Sequence, residues 1–599
     1  MGIEGRKAWK RRLFKRLEVR TAHRYLVALL LLLPLSGPWA GGGLAEAQGQ
    51  AGAPTRIFIS GLILDSHLSP VRDAVIRLSI EGQPQALIRV GKEYPEVRSA
   101  SDGSYTLEVA PRVLLGEKSK LEMEVSKPTF MTMRIPLDLG DFAPKGELMH
   151  LRKDISLPRK GGPALWIAVA VFASVYLLIA FELVHRLLAV MLGSATLILV
   201  THTAGRLDPD YSIVTFHAAM EHVDMNAVLF LLAAMVIVGV LRHTGVFQWA
   251  VHRCFALSRG RGLTLLVLLI FLSAGTSALV ENAATMVLLA PVTLVLAQGL
   301  RMNPLALLVP QVMAANLGGA ATLVGDIPNL MIGSRAGLAF PDFLGNLGPV
   351  CGLALVALLV MSSLWYRRDH AAPVGEPAQL DAVGEHGIED KALLFVGLGV
   401  VALVLFFLAT QGYWKMQPSV PTLAGASVLF AYWVLSRKVR MLEFLEKDME
   451  WPTILFLIFL FVMVGALEEV GALSALVEAI RPLCLASPAA AICLVLWAGA
   501  LTAAFVDILP FTAAMLPVVA HLQASLPEAH TQVLWWALAL GVSLGGNGTL
   551  IGGSANMVAM GIASSAGYPI SFARFMKFGF LYMLISVGIC NVWLLVFYG

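Results

Sequence analysis

The chain has 599 residues, of which 57% are hydrophobic and only 14% charged, where soluble globular proteins carry roughly 25% charged residues. A mean hydropathy of +0.75, with many runs near the ~20 apolar residues that cross ~30 Å of hydrocarbon, identifies an integral membrane protein and excludes a soluble enzyme, a nucleic-acid binder and a disordered scaffold. The net charge of +4 is unevenly placed: nine Lys and Arg fall within the first 24 residues, which keeps that start in the cytoplasm. The cysteines (Cys254, Cys351, Cys484, Cys493 and Cys590) lie in or beside apolar segments and form no CxxC pair, so neither a disulfide nor a thiolate metal site is expected.

After Arg24 comes a short apolar run, Tyr25 to Leu35, then Ser36-Gly37-Pro38 and Ala45-Glu46-Ala47. Residues 1–47 therefore read as a secretory signal, either cleaved or kept as an anchor, that sends the following residues out of the cytoplasm. From 55 to 157 apolar and polar residues alternate, as in Ala74-Val75-Ile76-Arg77-Leu78, with turn residues between the runs. Short β-strands forming a sandwich are expected. The Ile59-Ser60-Gly61 start and the Ser101-Asp102-Gly103-Ser104-Tyr105 turn resemble the carboxypeptidase-regulatory or transthyretin-like sandwich. The segment has no cysteine and no His or carboxylate cluster at ligand spacing, so an accessory or interaction domain is expected there.

Apolar segments follow at 164–181, 187–203, 226–241, 263–297, 305–333, 346–366, 391–409, 417–436, 452–468, 490–520, 532–562 and 576–598. Segments 263–297 and 490–520 are too long for one crossing and carry polar residues midway, which suits re-entrant hairpins. Ten crossings and two hairpins result. With residue 164 starting outside, the cytoplasmic loops hold 15 Lys and Arg and the opposite loops 4, as the positive-inside rule requires.

The two halves repeat. Leu229–Gly245 matches Leu455–Gly471 at 8 of 17 positions, and Asn316–Met331 matches Ser543–Val558 at 7 of 16. Repeat 1 spans 164–366, a cytoplasmic linker 367–390, and repeat 2 spans 391–599. Each repeat has five crossings and one hairpin, an odd number, so the second copy is expected upside down. An inverted repeat of this kind is a hallmark of secondary transporters.

Two glycine-rich runs interrupt apolar spans: Gly318 to Asn329, including Gly319, Thr322, Gly325 and Asp326, and Gly545 to Asn556, including Gly546, Asn547, Thr549, Gly552 and Ser554. Unwound backbone at membrane depth is tolerated where it lines a cavity, and broken helices of this kind present carbonyls to Na+ and N-termini to anions. The hairpins add Glu281-Asn282-Ala283-Ala284-Thr285 and Asp507-Ile508-Leu509-Pro510-Phe511-Thr512. Glu281, Asp326 and Asp507 are the acids well inside apolar segments, and no Lys or Arg lies in those interiors to pair with them. A buried charge there costs roughly 2.5–3.5 kcal/mol, which favours protonated acids or acids that hold a transient cation. The binding set is accordingly Glu281, Asn282, Thr285, Asn316, Gly318, Gly319, Thr322, Gly325, Asp326, Asn329, Asp507, Pro510, Thr512, Gly545, Gly546, Asn547, Thr549, Gly552, Ser554 and Asn556. Na+ is a candidate near Asn282, Thr322, Asp507 and Asn547; H+ is the other candidate coupling ion, and no further cofactor is expected.

Through these loops and hairpins, residues 164–599 resemble the ion transporter superfamily, particularly its arsenite permease, D-type sodium/proton antiporter and pink-eyed-dilution P protein branch, whose members carry a citrate transporter-like domain. The resemblance implies a scaffold domain and a mobile transport domain, often in a homodimer that works by an elevator motion. It also implies two departures: Glu281 stands where Asp is usual, and Ile508 where Asn is usual. The family's Gly-Asp-Pro-Pro-Asn run reads Gly325-Asp326-Ile327-Pro328-Asn329. P proteins likewise place an extracytoplasmic β domain after the first apolar segment.

The expected function is ion-coupled secondary transport in the cell's inner (plasma) membrane, with sodium/proton antiport and small-anion transport (arsenite, a citrate-like carboxylate, sulfate or chloride) both open. The expected partners are the bilayer, a small ion and a second copy of the chain. A sensor or assembly subunit with a transporter-like body is the rival class. No enzymatic activity is expected: GxxxxGK[ST] and HExxH motifs are both absent, against an ATP-driven pump and a zinc protease.

Overall fold

The computed structural model describes residues 56–598 except 66–69, 81–82, 86, 90–91, 95, 101, 110–120, 128–129, 138–142, 146–147, 158–160, 182, 372–387, 438–440 and 525–531. The expected signal, 1–47, and most of the expected linker, 367–390, lie outside the described residues.

The first described unit is all β. Strand β1 (Arg56–Asp65) alternates sides, and Ile59 and Ile63 on one face are fully buried. It pairs antiparallel with β3 (Ser104–Val109) and parallel with both β6 (Leu148–Arg152) and β7 (Ile155–Leu157). A second sheet joins β2 (Val75–Ile80) to β4 (Leu121–Ser126), and β4 to β5 (Met133–Leu137), all antiparallel. Inward residues of both sheets, among them Ile76, Leu78, Tyr105, Leu107, Met123 and Val125, form one apolar cluster, as the period of two along a strand dictates. The Asp102-Gly103 turn needs its glycine: Gly103 has φ +75° and a Cβ there would sit 2.6 Å from the Ile63 carbonyl oxygen. Asp102 accepts from the Ser104 amide at 2.9 Å.

The helical body follows in chain order: α1 (Pro163–Ala180), α2 (Arg186–His202), short α3 (Phe216–Glu221), α4 (Met225–Arg242), α5 (Val246–Ser258), α6 (Gly262–Ser277), α7 (Asn282–Gly299), α8 (Leu305–Ala320), α9 (Ile327–Ala336) and α10 (Phe340–Trp365). After the linker come α11 (Lys391–Ala409), α12 (Ser419–Arg437), α13 (Trp451–Glu469), α14 (Ala472–Ala486), α15 (Pro488–Phe505), α16 (Ile508–Ala524), α17 (Val533–Gly545), α18 (Ser554–Ser565) and α19 (Phe572–Tyr598). Helices α4, α6 and α7 each begin 226 residues before α13, α15 and α16.

Ten described helices are long and apolar enough to cross a membrane. Their membership differs from the ten expected crossings. The hairpin arms Asn282–Gly299 and Pro488–Phe505 qualify, whereas Leu305–Ala320 and Val533–Gly545 fall short, because each ends where its glycine run unwinds. Two stretches expected as loops, 242–262 and 468–489, hold helices α5 and α14. Both start from a left-handed glycine, Gly245 at φ 76° and Gly471 at φ 81°, which lets the chain turn sharply out of α4 and α13.

The β unit meets the body through a charged junction. Glu469, at the end of α13, accepts from Lys127 Nζ and Arg72 Nη2, each at 2.7 Å. Arg72 also reaches Glu221 on α3 at 3.1 Å and touches His222. These side chains are largely buried, with Arg72 16%, Lys127 13% and Glu469 10% exposed, so water and salt screen them less than a surface pair.

Candidate functional site

Both hairpin tips and both glycine runs converge on one narrow cleft, lined by Arg186, Glu281, Asn282, Asn316, Asp326, Ile327, Asp507, Ile508, Leu509, Ser543, Gly546, Ile551, Gly552, Gly553, Ser554 and Met557. Eight of the expected site residues line it: Glu281, Asn282, Asn316, Asp326, Asp507, Gly546, Gly552 and Ser554.

Most of the others hold the loops that shape the cleft. Asn329 Nδ2 donates to the carbonyls of Gly319 (3.2 Å), Ala320 (3.1 Å) and Thr322 (2.8 Å), and Asn556 Nδ2 donates to those of Gly546 and Thr549, both at 2.8 Å. These bonds satisfy backbone that unwinding would otherwise leave bare. Thr322 Oγ1 donates to the Ala278 carbonyl at 2.6 Å and accepts from the Gly325 amide at 3.0 Å; Thr549 Oγ1 donates to the Ala504 carbonyl. Each glycine run is thereby tied to the hairpin of its own half. With its amide nitrogen facing the loop, Asn282 adds bonds to the carbonyls of Gly325 (3.1 Å) and Ala315 (3.2 Å).

Gly318 and Gly545 allow helices to touch backbone to backbone, since a Cβ on either would collide with the carbonyl oxygen of Ala274 or of Ala500. Thr512 is a local feature of its helix, donating to the Ile508 carbonyl at 2.7 Å. Thr285 donates at 3.4 Å to the Val280 carbonyl inside its own tip, and neither it nor Pro510 lines the cleft.

Polar side chains at the glycine runs also join the two halves. Asn316 Nδ2 donates to Asn547 Oδ1 at 2.9 Å and Asn556 Oδ1 at 3.2 Å, and Ser543 Oγ donates to Asp326 Oδ2 at 2.7 Å. Ser543 was not among the expected residues, although it is the repeat counterpart of Asn316 and so was open to detection.

The acids differ in their surroundings. Glu281 caps α7, accepting from the Ala284 amide at 2.8 Å, where the helix dipole favours negative charge. It also faces a second cleft that it shares with Asp326, Arg242, Asp448 and Glu450. Asp507 accepts from the Leu509 amide at 3.0 Å and is ion-paired with Arg186 at 3.1 Å. The apolar interiors hold no Lys or Arg, but Arg186 lies just outside the apolar segment of α2 in sequence and folds over the tip of a hairpin 321 residues away.

The pairing also redistributes the candidate Na+ positions. Thr322, Asn547 and Asp507 commit side-chain oxygens to Ala278, Asn316 and Arg186. Among the described residues, Glu281 and Asp326 carry carboxylates without an ion pair, and Asn329 Oδ1 is a buried acceptor without a partner.

The citrate transporter family profile matches residues 176–541, more than half of the chain. The chain belongs to the citrate transporter family. It is 38% identical over 432 residues to the 46 kDa membrane protein of Mycobacterium leprae (72% of this chain, 97% of that protein). To an uncharacterized transporter of Mycobacterium tuberculosis it is 37% identical over 434 residues, with the same coverage. The human P protein is 31% identical over 506 residues, which cover 71% of this family member and 59% of that protein. Among solved structures, the Alcanivorax borkumensis YdaH transporter aligns at a TM-score of 0.49 and 16% identity, over 69% of this chain and 99% of that one. The chain is a multi-pass membrane protein of a transporter family, and its resemblance to the ion transporter superfamily and to P proteins holds.

Proposed function

We propose that the protein is an ion-coupled secondary transporter of the inner (plasma) membrane, in which a cation, H+ or Na+, is carried at Glu281 and Asp326 while the solute ion occupies the cleft between the two glycine runs. The observation that carries this reading is the convergence of two matched unwound loops and two hairpin acids on a single cleft. Buried carboxylates without an ion pair are costly in hydrocarbon, and a cation that comes and goes relieves that cost. The halves act as inverted copies, the hairpins and broken helices moving as an elevator against the remaining helices, in a homodimer, with residues 55–157 on the extracytoplasmic side.

Within this reading sodium/proton antiport is the simplest coupling. Transport of a small anion is the second reading, favoured by Arg186 at the edge of the cleft and by the N-terminus of α18 at Ser554, both of which present positive potential to it. Reconstitution in liposomes with an internal pH dye separates the two. Proton movement on adding Na+ or Li+ supports antiport, whereas a response to citrate, chloride, sulfate or arsenite alone supports the anion. Silence towards every ion from a well-folded protein counts against transport and favours a sensor or assembly role.

A further inference from the structure

Polar links run within two groups of helices and at a few points between them, one of which is Asn226 Nδ2 on α4 donating to Ser334 Oγ on α9 at 3.1 Å. The hairpins and broken helices of both halves (α6 to α9 and α15 to α18) are joined by the Asn316 to Asn547 and Asn556 bonds and by Ser543 to Asp326. Beside them stands a framework that includes α2, α4, α12 and α13. There Ser194 Oγ on α2 donates to the Phe459 carbonyl on α13 at 2.9 Å, and Asn226 on α4 accepts from the Ser419 amide of α12 at 3.1 Å.

Arg186 belongs to the framework. It opens α2, its guanidinium lies 5.2 Å over the ring of Phe456, and its Nη2 reaches Thr453 Oγ1 at 3.4 Å, both of these on α13. The opposite end of the same guanidinium grips Asp507 of the second hairpin tip at 3.1 Å, with Arg186 28% and Asp507 18% exposed. Glu281, which occupies the corresponding place in the first half, has no such partner among the described residues. The other ion pair on this boundary, Arg335 with Glu468, is longer at 3.5 Å and more exposed, at 47% and 27%. The two groups are thus fastened asymmetrically, with the best-shielded charged contact at one hairpin tip.

We propose that Arg186 is a positioning residue, a catch that holds the second hairpin tip against the framework in this conformation, and that Arg186 and Asp507 must part before the hairpins and broken helices can travel. The inference rests on the moving-body reading given above. The aromatic face and the Thr453 hydroxyl fix the guanidinium on its own side, so that parting moves Asp507 and leaves Arg186 in place. An arginine suits this task because its planar fork meets several partners at once and stays charged.

The test follows the exposure of Leu279, which lines the second cleft and is 39% exposed. Leu279→Cys is placed in a full-length background free of the native cysteines and labelled with a membrane-impermeant maleimide from each side. With Arg186 present, labelling is expected from the side of Asp448 and Glu450. In Arg186→Gln the ratio of labelling between the two sides is expected to shift by about 5-fold or more, the lower end of ordinary conformational coupling. Asp507→Asn should do the same, and Arg186→Lys should keep most of the original ratio.

A merely structural bridge would lower thermal stability without moving that ratio. If either single variant misfolds, Arg186→Gln/Asp507→Asn, which leaves no uncompensated charge, takes its place. An unchanged ratio in any folded variant that lacks the pair overturns the catch. Because labelling needs no transported ion, a shifted ratio with no flux towards any tested ion would leave the catch standing and count against the transport reading alone.

Discussion

Asn329 and Asn556 do the same work in the two halves. Each turns its amide nitrogen back into the glycine run before it, onto Gly319 and Thr322 in one case and Gly546 and Thr549 in the other. The sequence distance between donor and acceptors is ten and seven residues in both. An asparagine here replaces the hydrogen bonds that a continuous helix would have made.

Asn329→Ala and Asn556→Ala should each lower stability by about 2–4 kcal/mol, since each strands two or more buried carbonyls. Thermal unfolding of the purified protein measures this. A loss well under 1 kcal/mol at both positions would mean that the loops are held by something else.

Alanine at Gly318 or Gly545 should disrupt assembly, because the added carbon meets the carbonyl oxygen of Ala274 or of Ala500, and neither backbone can retreat alone. Gly275→Ala and Gly561→Ala meet nothing within 4 Å and should be neutral to slightly stabilising, given the better helix propensity of alanine. The yield of monodisperse protein and its melting temperature compare the four variants directly.

Glu281→Gln should abolish the pH dependence of transport while leaving the fold intact. The amide keeps the side chain's length and an oxygen to cap α7 towards the Ala284 amide, so a folded but pH-blind protein is the expected result. Wild-type rates and pH response in a folded variant would falsify the carrier role of this residue.

Lys127→Ala or Arg72→Ala leaves Glu469 short of a buried partner, and breaking a buried pair costs about 3–5 kcal/mol. Faster proteolysis within residues 56–157 and increased hydrogen exchange at the end of α13 should report the loosened junction. Arg77→Ala, by contrast, removes a pair that is 54% and 30% exposed and should change either reading little.

The helices, the hairpin tips and the unwound loops were legible in the sequence because each leaves a local mark: apolar length, an acid followed by a polar run, or glycines inside an apolar span. The duplicate copy then separated signal from accident, as with Asn329 and Asn556. Arg186 was not legible. A base at the edge of an apolar segment looks like any interfacial charge, and only the folded chain shows that Phe456 and Thr453 aim it at Asp507. Helices α5 and α14 were missed for a different reason. Both are shorter than a crossing, and in sequence the matched Gly245 and Gly471 mark the repeat as readily as the turn into a further helix.

Among the described residues the β unit closes on itself by pairing its last strand, Ile155–Leu157, with its first, and the next helix begins at Pro163. Six peptide steps separate Leu157 from Pro163, a tether of about 20 Å at full stretch. A domain that lets go of Glu469 therefore cannot diffuse away. It stays at an effective concentration that for short tethers is on the order of millimolar, and Arg72 and Lys127 find their acid again without a search. Weak or intermittent contacts suffice at such a junction, and lengthening the tether, with every contact residue left in place, would by itself reduce the docked fraction.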